Sequence, residues 1–307
     1  MHQLNKTWGP ALAAFLCGGA LIAQDAVFRS DTRRVNLQAT VVDNRGRLVT
    51  DLKQDAFTVF ENNKRQAITQ FIREDTPVSI GLIIDNSGSI REKRRAVESA
   101  ALAMVKASNP EDEVFIVNFN DEAFLDVPFT HDMKKLEEGL TKFDARGGTA
   151  MRDAIIMSMD YMKEKSKLDK KILVVVTDGE DNYSSESNTL EKLIARAQQS
   201  GILIYTFGIL TDEERSKAKA AQRALRAIAD ATGALSYFPQ KVEEVGPLAL
   251  EVAHEIRNQY VLVYPPAEQS LDGTFRQIRV EAKGPNSPKV RTRSGYWATK
   301  DEKPKAQ

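Results

Sequence analysis

Asp85-Asn86-Ser87-Gly88-Ser89 places three oxygen-bearing side chains at alternate positions of one short stretch. In a tight loop that spacing can aim all three at one centre, and Gly88 permits the sharp turn this requires. Two other pieces carry donors of the same kind. Gly147-Gly148-Thr149 sets a hydroxyl in a glycine-rich loop, and Thr177-Asp178-Gly179 sets a second carboxylate directly after an apolar run. Carboxylates and hydroxyls are hard ligands, suited to Mg²⁺, with Mn²⁺ and Ca²⁺ as alternatives, and unsuited to a thiolate-seeking metal. Asp85, Ser87, Ser89, Thr149 and Asp178 supply two carboxylates and three neutral hydroxyls, which leaves little negative charge on the protein side. The cation would stay electrophilic, and an open coordination position would favour a carboxylate brought by a partner.

Such a site needs elements that deliver its pieces to one place. Val78 to Ile84 is a nearly continuous apolar run, as is Lys171 to Thr177, and both read as strands buried on two faces. Helices are predicted at about 92–107, 132–143 and 149–166, and strands at 113–119, 123–129, 202–207 and 234–238. Asn188 with Glu191 reads as a capping box for a helix ending before Gly201, and Thr211 with Glu214 caps another that Gly233 ends. Strands alternating with helices predict an α/β fold, a doubly wound, mainly parallel sheet, over residues 77–240. In such a sheet ligands bind beyond the carboxyl ends of the strands, where all three motifs fall.

The flanks read differently. Residues 32–76 alternate in the strand period around turn clusters, with strands at 35–42, 48–52, 57–61 and 66–73. Residues 241–299 hold a helix at 243–257 and then strands at 260–264, 275–282 and 290–293. Each flank is small for a stable domain, and the expectation is that they combine into one β-sandwich with the α/β unit inserted between them. The last residues, 300–307, are charged and read as a disordered tail.

The N-terminal 23 residues read as a signal peptide: Lys6 supplies positive charge, no acidic residue precedes Asp25, and Ala11 to Ile22 is apolar. The run is short for a membrane span of about 20 residues. The expectation is a secreted or periplasmic protein with no membrane insertion after cleavage. The one cysteine, Cys17, lies in this segment, so the mature chain forms no disulfides. Lysine plus arginine equals aspartate plus glutamate, 43 each, which gives no argument for nucleic acid as a partner.

An enzymatic reading finds little to work with. His131 and His254 remain after signal removal, and neither falls in a triad motif. There is no Gly-x-Ser-x-Gly elbow, no phosphate loop and no zinc-ligand pair. Metal-assisted phosphoryl transfer at Asp85 would need an acid/base carboxylate that Asn86-Ser87 does not supply.

Taken singly, the three pieces have ordinary readings as a helix cap, a loop and a turn. Their order and their places at element ends distinguish them. Residues 77–240 resemble a von Willebrand factor A domain, whose metal-ion-dependent adhesion site runs Asp-x-Ser-x-Ser, then Thr, then Asp. The flanks resemble a bacterial group of such proteins through an Arg-Asn-Gln-Tyr-Val-Leu strand (257–262) and an Arg-Ser-Gly-Tyr-Trp ending (293–297). The resemblance implies a non-catalytic binding module whose metal, held by Asp85, Ser87, Ser89, Thr149 and Asp178, bridges to an Asp or Glu of a protein ligand. An assembly protein of the envelope, whose metal only stabilises the fold, is the alternative. Glu180, Asp181 and Asn182 read as a solvated loop, Asp153 as a helix residue beside the site, and Asn120-Asp121 as a hairpin turn.

Overall fold

A computed structural model describes residues 33–73, 75–141, 146–210 and 214–299. The segments expected to be a signal peptide and a tail, and Thr211, lie outside them. Four strands come first: β1 (Val35–Val42), β2 (Phe57–Glu61), β3 (Lys64–Gln66) and β4 (Gln70–Ile72). The central stretch follows as β5 (Val78–Asp85), α1 (Arg94–Lys106), β6 (Glu113–Phe119), β7 (Ala123–Thr130), α2 (Met133–Thr141), α3 (Met151–Lys165), β8 (Lys170–Thr177), α4 (Leu190–Ser200), β9 (Leu203–Gly208), α5 (Arg215–Thr232), β10 (Ser236–Tyr237) and α6 (Val245–Arg257). The last strands are β11 (Tyr260–Tyr264), β12 (Phe275–Ala282), β13 (Lys289–Arg291) and β14 (Gly295–Trp297).

Every residue of β5 is buried. A strand of that kind needs partners on both edges and cover on both faces, and it has them. The central sheet runs β10-β9-β8-β5-β6-β7, parallel except for the β6–β7 pair. Ile80, Leu82 and Ile84 share one core cluster with α1, α2 and α6. Ile83 belongs to the other, with α3, α4 and α5. Gly81 sits where Phe115 crosses the strand: a Cβ there would come within 2.4 Å of the Phe115 ring. The doubly wound α/β sheet expected from the alternation of strands and helices is therefore present.

The flanking strands interleave. One antiparallel sheet runs β13-β1-β11-β4 and another β14-β12-β2-β3, so each draws strands from both ends of the chain. Their apolar faces meet in a single cluster containing Leu37, Ala39, Phe57, Val59, Tyr260, Leu262, Tyr264, Ile278 and Tyr296. Inside it the buried Glu61 carboxylate accepts hydroxyls from Tyr264 at 2.8 Å and Tyr296 at 2.9 Å. A second buried carboxylate joins this pair of sheets to the central one. Glu255 of α6 accepts the Tyr205 hydroxyl at 2.6 Å and the Thr40 hydroxyl at 3.2 Å, and it pairs with Arg291.

Several local expectations differ from the structure. Residues 48–52 make only an isolated bridge, Val42 to Leu48. The stretch 66–73 is divided between β3 and β4, which lie in different sheets. The cap of α4 is Thr189, whose hydroxyl accepts the Lys192 amide, because the Asn188 side chain is already bonded to Asp153. The α1 helix starts at Arg94, after a turn of 3₁₀ helix at Ser89–Glu92. Among the described residues no helix is long and apolar enough to cross a membrane.

Lys170 closes the lower end of this packing. It is 6% exposed and donates to the Ile256 carbonyl at the end of α6. Burial pulls its ammonium from 10.5 down to about 8, against the pull of Asp75, Asp112 and Glu255. The folded value lies below the unfolded one, so between those pH values the unfolded chain holds the extra proton. Stability should therefore rise with pH across that window, by up to about 3 kcal/mol from this group. Urea midpoints measured near pH 8 and about pH 10 should show this rise in the wild type and its loss in Lys170→Met; equal slopes in both would refute it.

Candidate functional site

The chain leaves β5 through α1 toward β6 and leaves β8 through α4 toward β9, on the opposite side. Because β5 and β8 are neighbours, this reversal opens a crevice beyond their carboxyl ends, where open α/β sheets bind ligands. Asp85 is the last residue of β5, and Asp178 directly follows β8.

Their contacts form one chain. Asp85 Oδ1 accepts the Ser87 amide at 2.8 Å, and its Oδ2 accepts the Thr177 hydroxyl at 2.6 Å. The Ser87 and Ser89 hydroxyls are 3.1 Å apart, and Ser89 donates onward to Asp178 Oδ1 at 2.7 Å. Asp85, Ser87 and Asp178 are buried, whereas Ser89 is exposed, so the cluster reaches solvent through its third residue. Burial pushes the Asp85 carboxyl from 3.8 up to about 6, against hydrogen bonds from Thr177 and Ser87, and the Asp178 charge adds to the rise.

Thr149 arrives on a neighbouring loop. The Gly88 amide donates to the Gly147 carbonyl at 3.2 Å, and the Arg146 amide to the Asn86 carbonyl at 3.0 Å. Among the described residues, the hydrogen bonds of Thr149 run through its backbone. Its amide donates to Asn182 Oδ1 at 2.9 Å, and its carbonyl accepts the amides of Asn182 and Tyr183. The structure thus links four of the five residues by direct contacts and places the fifth on an adjoining, backbone-tethered loop.

Several supporting residues escaped the sequence reading. Asp121 does more than turn a hairpin: its Oδ1 accepts the Gly148 amide at 2.5 Å. Gly147 has φ +79°, and a Cβ on it would lie 2.5 Å from Asp121 Oδ2, which explains the glycine. Asp181 accepts the Arg152 amide at 2.7 Å and pairs with the Arg152 guanidinium at 3.2 Å. Asp153 instead anchors the loop at 185–188, through the Ser185 amide and the Asn188 side chain. Lys93, buried at the start of α1, donates to Asp178 Oδ2 at 3.0 Å and to the Ile209 carbonyl at 3.3 Å. Only its burial sets it apart from Arg91, Arg94 and Arg95 beside it in sequence.

The donor set fits a hard divalent cation. Among the described residues no group of three or more His, Cys, Asp or Glu side chains converges, so a cation here would rely on hydroxyls as much as on carboxylates. Asp85 holds a carboxyl that burial penalises when charged, and a cation would relieve that penalty. The hydroxyls of Ser87 and Ser89 lie between the carboxylates of Asp85 and Asp178, so all four side chains are oxygen donors within one connected cluster.

The Asp121 bridge gives a direct test of how the loop is held. Asp121→Ala should lower stability by about 1–3 kcal/mol, the usual result of leaving a partly buried amide without its acceptor. It should also speed amide exchange at Gly148. Wild-type exchange at that amide would show that the loop does not depend on this carboxylate.

Residues 80–180 match the family model described as von Willebrand factor type A domain. The inter-alpha-trypsin inhibitor heavy chain H4 of Bos taurus is 23% identical over 219 residues, covering 65% of this chain. The match spans only 23% of that protein's length. Among solved structures, a von Willebrand factor type A protein from Catenulispora acidiphila superposes with a TM-score of 0.53 at 15% identity, over 89% of this chain and 76% of that one. The matched segment runs from within β5 to just beyond β8, so Asp85, Asp178 and the loops that meet at those strand ends all fall in the stretch that is similar to a von Willebrand factor type A domain.

Proposed function

We propose that the protein is an exported, metal-dependent protein-binding module without catalytic activity. Asp85, Ser87, Ser89, Thr149 and Asp178 are its metal-binding residues, and an Asp or Glu of a protein partner completes the coordination. Mg²⁺ suits these ligands best, with Mn²⁺ and Ca²⁺ as alternatives. The observation that carries the reading is the unbroken line of contacts Asp85–Ser87–Ser89–Asp178 at the switch point of the sheet, ending in the exposed Ser89. Secretion or a periplasmic location follows from the basic and apolar pattern of residues 1–23.

The protein's own part in binding is positional. Thr177 and the Ser87 amide fix both oxygens of Asp85, so this carboxylate does not need to reorganise when a ligand arrives. Asp178 orients the Ser89 hydroxyl. A bound divalent cation would supply an electrophilic attachment point for an incoming carboxylate. Asn182 and Asp121 hold the Thr149 loop against the same edge.

Calorimetric titration of Mg²⁺, Mn²⁺ and Ca²⁺ into chelator-stripped protein tests the reading, with Asp85→Ala as the control. One saturable site in the wild type, abolished in a variant with unchanged circular dichroism, is the expected result. Equal metal binding by the two proteins would place the ion elsewhere. A wild type that stays silent both alone and in the presence of a carboxylate-bearing peptide would end the metal-dependent reading.

A further inference from the structure

Lys93 is an odd occupant of its position. A lysine at the start of a helix opposes the helix dipole, which favours negative charge there. A fully buried ammonium is also expensive unless a partner compensates it. Yet the Lys93 side chain is only 6% exposed and that of Asp178 is 0% exposed, with 3.0 Å between Nζ and Oδ2. Helix stability does not explain the residue, but the carboxylate at the sheet edge does.

The pair changes the electrostatics of the site. Asp178 uses one oxygen for the Ser89 hydroxyl at 2.7 Å and the other for Lys93. The carboxylate is therefore pinned from both sides and turned toward the serine. Of the two carboxylates beside the serines, one already has a cation. The charge left to attract a metal is mainly that of Asp85, whose carboxyl is itself buried.

We infer that Lys93 is a tethered counter-cation of the metal face. It positions Asp178 as an orienting group behind Ser89 and holds down the affinity of the chain for free divalent ions, so that firm retention of the ion depends on the partner's carboxylate. This rests on the metal-binding reading above and extends it: the site is tuned for a ternary complex and not for storing metal. It also accounts for how two buried carboxylates can sit together in the metal-free protein, because Lys93 supplies compensation that an ion would otherwise provide.

The test compares wild type, Lys93→Met, Lys93→Gln and Lys93→Arg by Mn²⁺ and Mg²⁺ calorimetry, and by thermal melting in EDTA and in saturating Mg²⁺. Removing the charge should tighten metal binding about tenfold or more, since a cation's neighbour of like sign is lost. Lys93→Arg should keep the wild-type affinity. In EDTA, Lys93→Met should melt on the order of 10 °C lower than wild type, because Asp178 is left buried without its partner, and Mg²⁺ should restore much of that loss. Lys93→Gln, which keeps a hydrogen-bond donor, serves if the methionine variant does not fold. A lysine that only props up the structure predicts the opposite sign, with weaker metal binding in the neutral variants. That result, or unchanged affinity beside a wild type that binds metal normally, overturns the inference while leaving the metal site standing. Absence of metal binding in all four proteins overturns the inference, and absence that persists with a carboxylate-bearing peptide present overturns the metal-binding reading as well.

Discussion

Val35–Val42 is held as a strand by partners from the far end of the chain, Tyr260–Tyr264 along its first five residues and Lys289–Arg291 along its last three, and the ladder from Val35–Tyr264 to Ala39–Tyr260 spans almost the whole described chain. The two flanks together bury Leu37, Val59, Leu262 and Ile278 in one core. The same closure brings Thr40 and Arg291 to Glu255, and so seats α6 against the central sheet. The α/β unit is thus an insertion whose last helix is gripped by the structure it interrupts. Contacts of such long sequence separation are slow to form, since the closure entropy precedes the reward. The short-range βαβ units of the central sheet supply a scaffold that can form before the flanks find each other.

At the other end of that sheet the difficulty is charge. Two carboxylates sit at 1% exposure at the ends of neighbouring strands, each held by more than one donor. Hydrogen bonds from Ser87, Thr177 and Ser89 and the ammonium of Lys93 make this arrangement tolerable. The result is a site whose geometry is set before any ligand arrives. Preorganisation of that kind improves binding by removing the cost of ordering side chains at the moment of contact.

Much of this could be read from the residues in order. The nearly continuous apolar runs at 78–84 and 171–177 announced central parallel strands, and the ends of those strands announced where chemistry could sit. The pairing of the two flanks followed from their size. Lys93 and Asp121 were hidden for different reasons. Lys93 stands in a run of four basic residues within 91–95, and nothing in one dimension says which of them the sheet edge covers. Asp121 looks like any turn aspartate until the Gly147-Gly148 loop, distant in sequence, is laid on top of it. The Thr189 cap displaced Asn188 for a similar reason, since a side chain from α3 had claimed the asparagine first. Local patterns predict elements well when they concern periodicity. They miss partners that only tertiary structure introduces.

The route into and out of the inserted unit is short. The chain leaves β4 for β5 and returns from α6 to β11, and Ile72 and Val261 are ladder partners, so the unit's two connections hang from adjacent strands. Strand β1 leads on to β2, which pairs with β12, which pairs with β14. A pull applied between residues 33 and 299 is therefore borne by those ladders and by the core between the two flanking sheets. The sheet edge that carries Asp85 and Asp178 lies in the inserted unit, off that line of tension, and is loaded only once the β4–β11 seam itself gives way.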